Sequence, residues 1–583
     1  MKIQYLDAPY IDLKDRILYN RGVKNLERLR NPDWEGYVKP GDFWGMEQGV
    51  NRFVSSIKQN KNIGILVDCD QDGQSSSAEI CTYFPQIQPL FHKGKQHGLT
   101  DEEIFTIIKD ANFDLLLIPD AGSNDVQEIK TLIGMGTDII VIDHHPIDTF
   151  KDNEKFYEGK EGAIIINCHH PLNLATDINL TGAGMVFKFL ELVKKYIDID
   201  LTEVLDLVAI GQIGDASDIS INSIRKFVLR GIHNIRNPFI KYAVTSKIGD
   251  EVPTTQDMSY GVIPLVNAVC RIGTLEEKKL LFKALSQSED LKEFEVIKKR
   301  KKDKETGKFY NYEVKYTGYM KAYDTLLEVK ERQKEIVKDV VKDIRTTNGR
   351  LRNETGIAFV KIPKLPNGNI TGLIAQKISS DLGKPCLMFQ EEDNGILKGS
   401  GRSNDKWIDS LKDWCNDSGL FIQAQGHDNA FGVQISIDNY EKAIEKSKEI
   451  EKADKTHFVD EIYDNKDKPK SIIGDIEEAW ELRDIFGGSI TEPLFGFQKI
   501  KVAKNRINIR DKVVTFDMGA YKFVSFTPPS WIQDLCVGFD PFVTLNIVGK
   551  PMVSEWRGRT QYQIVIEDME IVEEIITKEN FEF

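Results

Sequence analysis

Cysteine is scarce and scattered in this chain, seven residues in 583 with no C-x-x-C pair. An odd, unclustered set excludes a disulfide framework and a structural zinc site, and predicts reduced, mostly buried thiols. No apolar run reaches the roughly 18 residues that a membrane-spanning helix needs. The opening residues Met1-Lys2-Ile3-Gln4-Tyr5-Leu6-Asp7 carry no apolar signal core and no small-residue cleavage site, so no membrane partner and a cytoplasmic location are expected. Net positive charge is absent too. The balance is −14, from 77 Lys and Arg against 91 Asp and Glu, and this excludes a non-specific DNA coat protein. It leaves room for a basic channel inside an acidic molecule. What remains is ordinary for a soluble globular protein, 41% hydrophobic and 29% charged, and long enough for two to four domains.

The first third alternates short apolar runs with helical patterns. Residues 61–68, 113–120 and 137–143 each read as a buried strand, and each ends in aspartate. Helical patterns lie between them, around 75–84 and 124–135. This is a βαβ alternation, hence a doubly wound parallel sheet, whose ligands sit beyond the carboxyl ends of the strands. Further helices are expected at 182–195, 201–213 and 317–345. Residues 291–316 are Lys-rich and read as an exposed basic loop. A second α/β unit is expected over about 350–450, a charged linker over 451–480, and short strands of a small barrel over 493–570.

Asp68, Asp70 and Asp72 fall within five residues after the first strand. On one turn they can converge on a hard cation such as Mg²⁺ or Mn²⁺. An Asp-rich surface turn would look the same, and so would a calcium loop, whose twelfth position counted from Asp68 is Glu79. Asp120 ends the second strand, and Asp143-His144-His145 ends the third. Imidazole beside carboxylates tilts selection toward Mn²⁺ over Mg²⁺. Two adjacent histidines after a strand-terminal Asp stand out in a chain with only nine. Asp215, after a helical run, is a fourth acidic locus. A carboxylate cluster this dense repels itself and calls for cations. Two divalent ions about 4 Å apart would suit phosphate-ester hydrolysis.

These residues carry a resemblance. Val67-Asp68-Cys69-Asp70-Gln71-Asp72-Gly73, Pro119-Asp120-Ala121-Gly122, Asp143-His144-His145-Pro146 and Gly211-Gln212-Ile213-Gly214-Asp215 resemble, in order, the four motifs of the DHH phosphoesterase superfamily. Pro264–Arg271, Glu331-Arg332-Gln333, Lys398–Ser403, Gly426–Gly432 and Ser554–Gly558 resemble its RecJ branch, the single-strand-specific 5′→3′ exonucleases. The resemblance implies a DHH catalytic domain over 1–235, a helical connector with the basic insertion over 236–345, a DHH-associated α/β domain over 346–455 and a C-terminal OB-fold β-barrel over 466–583. It implies two divalent cations, Mn²⁺ preferred or Mg²⁺, with Asp68, Asp70, Asp72, Asp120, His144 and Asp215 as ligands or their near shell. Asp143 would orient the histidines and His145 would contact the scissile phosphate. Asn267, Arg271, Ser400, Gly401, Arg402, Gly426 and His427 would hold nucleotide phosphates. Single-stranded DNA is the implied substrate, with RNA open. A monomer is expected, with a single-strand-binding protein or another repair or replication protein as partner.

The chain departs from the family pattern at Gln74-Ser75-Ser76, at Gln425, at Asn367 and at His92-Lys93, where the family often has an arginine. The last departure bears on recognition of a 5′-phosphate. Phe523, Phe526, Trp531, Trp556, Arg557 and Arg559 are candidates for base stacking and backbone contact. Two other readings compete: a small-substrate phosphoesterase of the same superfamily, and a non-catalytic nucleic-acid-binding relative. Intact acids and both histidines argue against the second.

Overall fold

The structure is a computed structural model. It describes the chain apart from residues 95, 250, 303–308, 366–369, 393, 404–406, 451–455, 511–512, 527, 529–531, 533–540, 557–558 and 573–583. Two compact units divide it. One comprises residues 27–335 with 487–490, and the other residues 1–26, 336–486 and 491–583. The division falls inside a single long helix, Gly318–Thr346.

The first unit is built on five parallel strands in the spatial order Gln88–Phe91, Ile63–Val67, Leu115–Pro119, Asp138–Asp143, Ile164–Asn167. The three inner strands are those expected from the apolar runs, and their residues are buried almost throughout. Both faces are covered, which is why the runs are continuous rather than alternating. On one face Leu66, Ile118, Val141 and Ile165 pack with Ile104, Ile129 and Phe156. The opposite side carries Gln71–Tyr83, which packs against the helices Gly182–Val193 and Leu205–Gly214. Chain direction reverses its spatial progress between Ile63–Val67 and Leu115–Pro119, the switch point where such sheets open a crevice. Asp68 and Asp120 immediately follow these two strands.

The second unit holds a six-stranded mixed sheet in the order Phe421–His427, Ala430–Ser436, Ile396–Arg402, Cys386–Glu391, Ala358–Ile362, Leu351–Arg352. Its core is formed by Phe359, Leu387, Phe389, Phe431, Val433 and Tyr440. The segment read as a charged linker is structured over its described part. Thr456–Val459 pairs in parallel with the N-terminal strand Lys2–Tyr5, Glu461–Tyr463 joins a further sheet, and Pro469–Trp480 is a helix. Charge on its exposed side hid the buried alternation of Ile472, Ile476 and Ala479.

The expected C-terminal barrel is a seven-stranded sheet ordered Glu461–Tyr463, Phe495–Ala503, Phe542–Trp556, Arg559–Ile571, Lys522–Ser525, Val513–Asp517, Ile507–Arg510. Its first and last strands do not pair, so among the described residues the sheet is open rather than closed. Phe523 lies in its core and Phe526 and Arg559 are exposed, whereas Trp531, Arg557 and the Trp556 side chain fall outside the described residues, as does Asn367.

All six described cysteines are buried free thiols. Among the described residues no helix is long and apolar enough to cross a membrane.

Candidate metal centre

The sheet edge at the switch point gathers the acids. Asp70 caps the Gln71–Tyr83 helix, its Oδ1 accepting from the Asp72 and Gly73 amides at 3.1 Å each. Gly73 therefore lies inside the helix rather than in a turn. Its missing side chain makes room for Asp68, whose Cβ would stand 2.4 Å from a Cβ at that position. Ligand oxygens of Asp68, Asp70 and Asp120 lie within 4.8 Å of one another, and so do the ligand atoms of Asp120, His144 and His145.

Asp120 is the pivot of both groups. It holds a left-handed backbone, φ 63°, at the end of its strand, a conformation that costs a non-glycine residue about 1 kcal/mol or more. The carboxylate is 1% exposed, and Oδ1 accepts no hydrogen bond although His144 Nε2 stands 3.2 Å away. A buried, orphaned carboxylate oxygen facing an imidazole nitrogen is a donor set that a cation would satisfy. Burial, then the charges of Asp72, Asp70 and Asp68, push the Asp120 carboxyl well above the usual range. Burial likewise raises Asp68, against the pull of His97. Burial and Asp72 raise Asp215 to about 6. Divalent cations would relieve all three.

Asp72 has a second role besides its place in the cluster. Asp72 spends both oxygens on the start of the Gly182–Val193 helix, accepting from Thr181 Oγ1 at 2.8 Å, Gly182 N at 2.5 Å and Ala183 N at 3.1 Å. The helix can come that close because Gly182 has no side chain, whose Cβ would sit 2.5 Å from Asp120. His144 Nε2 is 3.9 Å from Asp72 Oδ2 and 3.7 Å from Asp215 Oδ2. Asp143 is buried beneath the histidines and accepts from the Ser123, His144 and His145 amides and from His145 Nδ1 at 2.8 Å. Burial alone would raise its carboxyl. The hydrogen bond and charge of His145, with His144, outweigh burial and hold it well below the ordinary value. The same bond raises His145 to about 9, so a half-exposed imidazolium stands beside the acids.

One residue of this edge escaped the sequence. His97 Nδ1 lies 2.6 Å from Asp68 Oδ2, and His97, Asp68 and Cys69 bring ligand atoms within 4.8 Å. Its loop is set by Asp125, which accepts from the Leu99 amide at 2.7 Å. Histidine is rare enough here to draw notice, but nothing in its spacing links residue 97 to residue 68. Arg271 shares a face of the Ile263–Ile272 helix with Asn267, one turn apart, and feels the charge of Asp70. Arg332 pairs with Glu277 at 3.0 and 2.7 Å, which ties the long helix to the Leu275–Leu285 helix.

The other predicted residues lie in the other unit, on one edge of the six-stranded sheet. Gly401, Phe431 and Gly426 are in register across three strands, and Arg402, Ala430 and His427 form the next row. Ser400 Oγ shares a hydrogen bond of 2.9 Å with Thr371 Oγ1, at the start of the Thr371–Leu382 helix. The Arg402 guanidinium lies against Gly372 in that first turn, and a Cβ there would stand 2.5 Å from it. Backbone amides of a helix start beside a guanidinium suit an anion.

Residues 62–212 match the DHH family, N-terminal domain. YorK of the Bacillus subtilis SPbeta prophage, named by inference as a single-strand DNA-specific exonuclease, is 28% identical over 95% of both chains. The single-stranded-DNA-specific exonuclease RecJ of the same species is 25% identical over 96% of this chain and 68% of its own. The fold is similar to that of RecJ from Thermus thermophilus in complex with Mn²⁺, with TM-score 0.68 and 15% identity over 98% of this chain and 80% of that one. A second structure of that protein contains Mg²⁺. The chain is a divergent RecJ-like protein carrying a DHH-family domain.

Proposed function

We propose that this chain is a metal-dependent exonuclease that hydrolyses single-stranded DNA to mononucleotides in the 5′→3′ direction. The observation that carries the reading is the orphaned Asp120 oxygen, set among buried acids and facing His144 at the switch point of a parallel sheet. The exonuclease names of YorK and RecJ support the substrate.

Asp68, Asp70, Asp72, Asp120, His144 and Asp215 would hold two divalent cations, Mn²⁺ or Mg²⁺, or form their near shell. Bound there, such ions polarise the phosphate and lower the pKa of an attacking water. The chain's own residues do the rest. Asp72 fixes the helix start beside the ligands and so positions Asp120 and His144. Asp143 keeps His145 protonated and aimed, and the imidazolium offers a proton and a positive charge to a phosphate oxygen. In the other unit, Ser400, Gly401, Arg402, Gly426 and His427 would take the phosphates of the strand, as Arg271 and Asn267 would in this one. The open seven-stranded sheet is read as an OB-like surface for the same strand. The division into parts at 1–235, 236–345, 346–455 and 466–583 belongs to this proposal.

A time course on 5′- and 3′-labelled single-stranded DNA and RNA, with Mn²⁺ or Mg²⁺, tests it. The expected result is early release of the 5′ label as mononucleotide, abolished by EDTA and by Asp120→Ala. Full activity in EDTA sinks the metal reading. Attack on dinucleotides alone replaces the exonuclease with a small-substrate phosphoesterase.

A further inference from the structure

The Lys-rich segment expected as a loop is a two-stranded antiparallel hairpin, Phe294–Lys302 against Phe309–Thr317. Its base is held firmly. The Gly318 amide donates to Glu293 O at 3.1 Å, Tyr316 Oη donates to Asp324 at 2.6 Å, and Tyr319 Oη donates to Ser288 O at 3.1 Å. The body of the hairpin leaves its large side chains open to solvent. Phe294, Val296, Phe309, Tyr310 and Tyr312 are all exposed, on both faces of the ribbon. An isolated ribbon is marginal in water, and exposed aromatics at this density mark a contact surface.

The composition says what it contacts. Residues 294–317 hold eight Lys and Arg against four Asp and Glu, in a chain whose balance is −14. Strand alternation sorts them. One face presents Phe294, Val296, Lys298 and Arg300 opposite Phe309, Glu313 and Lys315. There the Arg300 guanidinium lies 4.6 Å from the Phe309 ring centre and the Lys315 ammonium 4.7 Å from that of Phe294. The other face carries Tyr310 and Tyr312, rings 5.9 Å apart. Cations alternating with open ring faces match a polyanion that offers π surfaces of its own at every repeat.

We propose that the 294–317 hairpin is a second single-strand binding surface on the catalytic unit, gripping phosphates with Lys298, Arg300 and Lys315 and stacking bases on Tyr310 and Tyr312. This rests on the exonuclease reading above. It adds a contact that a long strand makes and a dinucleotide does not.

The test uses the full chain and three variants, Lys298→Glu/Arg300→Glu, Tyr310→Ala/Tyr312→Ala, and both pairs together. Binding of oligothymidine of increasing length is measured in EDTA across a salt series, and dinucleotide hydrolysis with Mn²⁺ serves as the control for folding. The charge variant is expected to lower the slope of log affinity against log salt by about 1.4, for two lost phosphate contacts. The aromatic variant is expected to weaken long-strand binding about 10-fold without changing that slope. Dinucleotide turnover should match wild type in all three. If wild type binds and degrades long strands and the variants equal it in affinity and slope, the hairpin inference falls and the exonuclease reading stands. Loss of self-association in the variants, with DNA binding intact, overturns it in favour of a strand-pairing surface. If wild type binds no single strands at all, both readings fall together.

Discussion

Two sheet edges carry the predicted chemistry, and they are built on opposite electrostatic terms. At the five-stranded edge, Asp68, Asp120 and Asp143 are buried to 1% exposure or less. The six-stranded edge carries Arg402 and an exposed His427, with the neighbouring carboxylate of Asp428 exposed and paired with Lys412 at 2.8 Å. Buried carboxylates at close range are unfavourable unless something positive joins them, so the first edge asks for cations. Arg402 already donates to the Gly401 carbonyl at 2.7 Å, and beside helix-start amides it stands where an anion would be favoured. Under the proposed function the first edge does the chemistry and the second holds substrate.

The largest effect should come from breaking the acidic edge. Asp120→Ala is expected to lower the turnover of single-stranded DNA by about 1000-fold or more, since charge stabilisation at a reacting centre is worth that much. Circular dichroism should show an intact fold, and a variant with substantial turnover in Mn²⁺ would remove Asp120 from the site. Next is metal binding itself. Mn²⁺ at about 100 times its dissociation constant should stabilise wild type by about 2.7 kcal/mol, read as a rise in Tm, and Asp120→Ala should lose most of that rise. Equal rises in both proteins would place the ions elsewhere.

The Tm of the chelated protein should depend on pH in a defined direction. Asp215 is raised to about 6, so it binds its proton more tightly folded than unfolded. The stability it contributes is complete below the ordinary value of 3.8 and is lost as pH rises through 6. His145 is raised to about 9, so its contribution is complete below 6.5 and is lost as pH rises through 9. Both signs predict a metal-free protein that gains Tm as pH falls from 9 toward 5, with Mn²⁺ flattening the lower part of that slope. An opposite slope would contradict the acid cluster.

At the other edge, Arg402→Ala should raise KM for single-stranded DNA about 10-fold while kcat changes little, because a bidentate phosphate contact is lost away from the reacting atoms. A large fall in kcat with unchanged KM would reverse the division of labour between the edges. The smallest effect is spectroscopic. The His145 imidazole should titrate near 9 by NMR in chelator, and Asp143→Asn should bring it back toward the ordinary histidine value. A titration unmoved by Asp143→Asn would break the link between the two.

The inner strands were legible because burial on both faces writes an uninterrupted apolar run, as in Leu115–Pro119. The edge strand Gln88–Phe91 was not, since it is short, half exposed and contains proline. The basic hairpin misled for a related reason. Its alternation places charge and aromatics on both faces and buries neither, so it looked like a loop. Asp72 was legible as an acid of the turn but not as the residue that receives a helix start from Thr181 to Ala183. His97 was illegible as a neighbour of Asp68 because contacts across a sheet edge leave no periodic trace in the chain.

By itself the sequence determined the parallel sheet, the carboxylates at its strand ends and the likeness to RecJ. Those depend on local hydrophobic pattern and on motifs a few residues long. Only the tertiary structure decided which acids bring their oxygens together, that Asp120 is the orphan facing His144, and that Asp72 also receives a helix start. The reason is physical. Hydrophobic periodicity is a property of neighbours along the chain, whereas desolvation and charge repulsion are properties of neighbours in space.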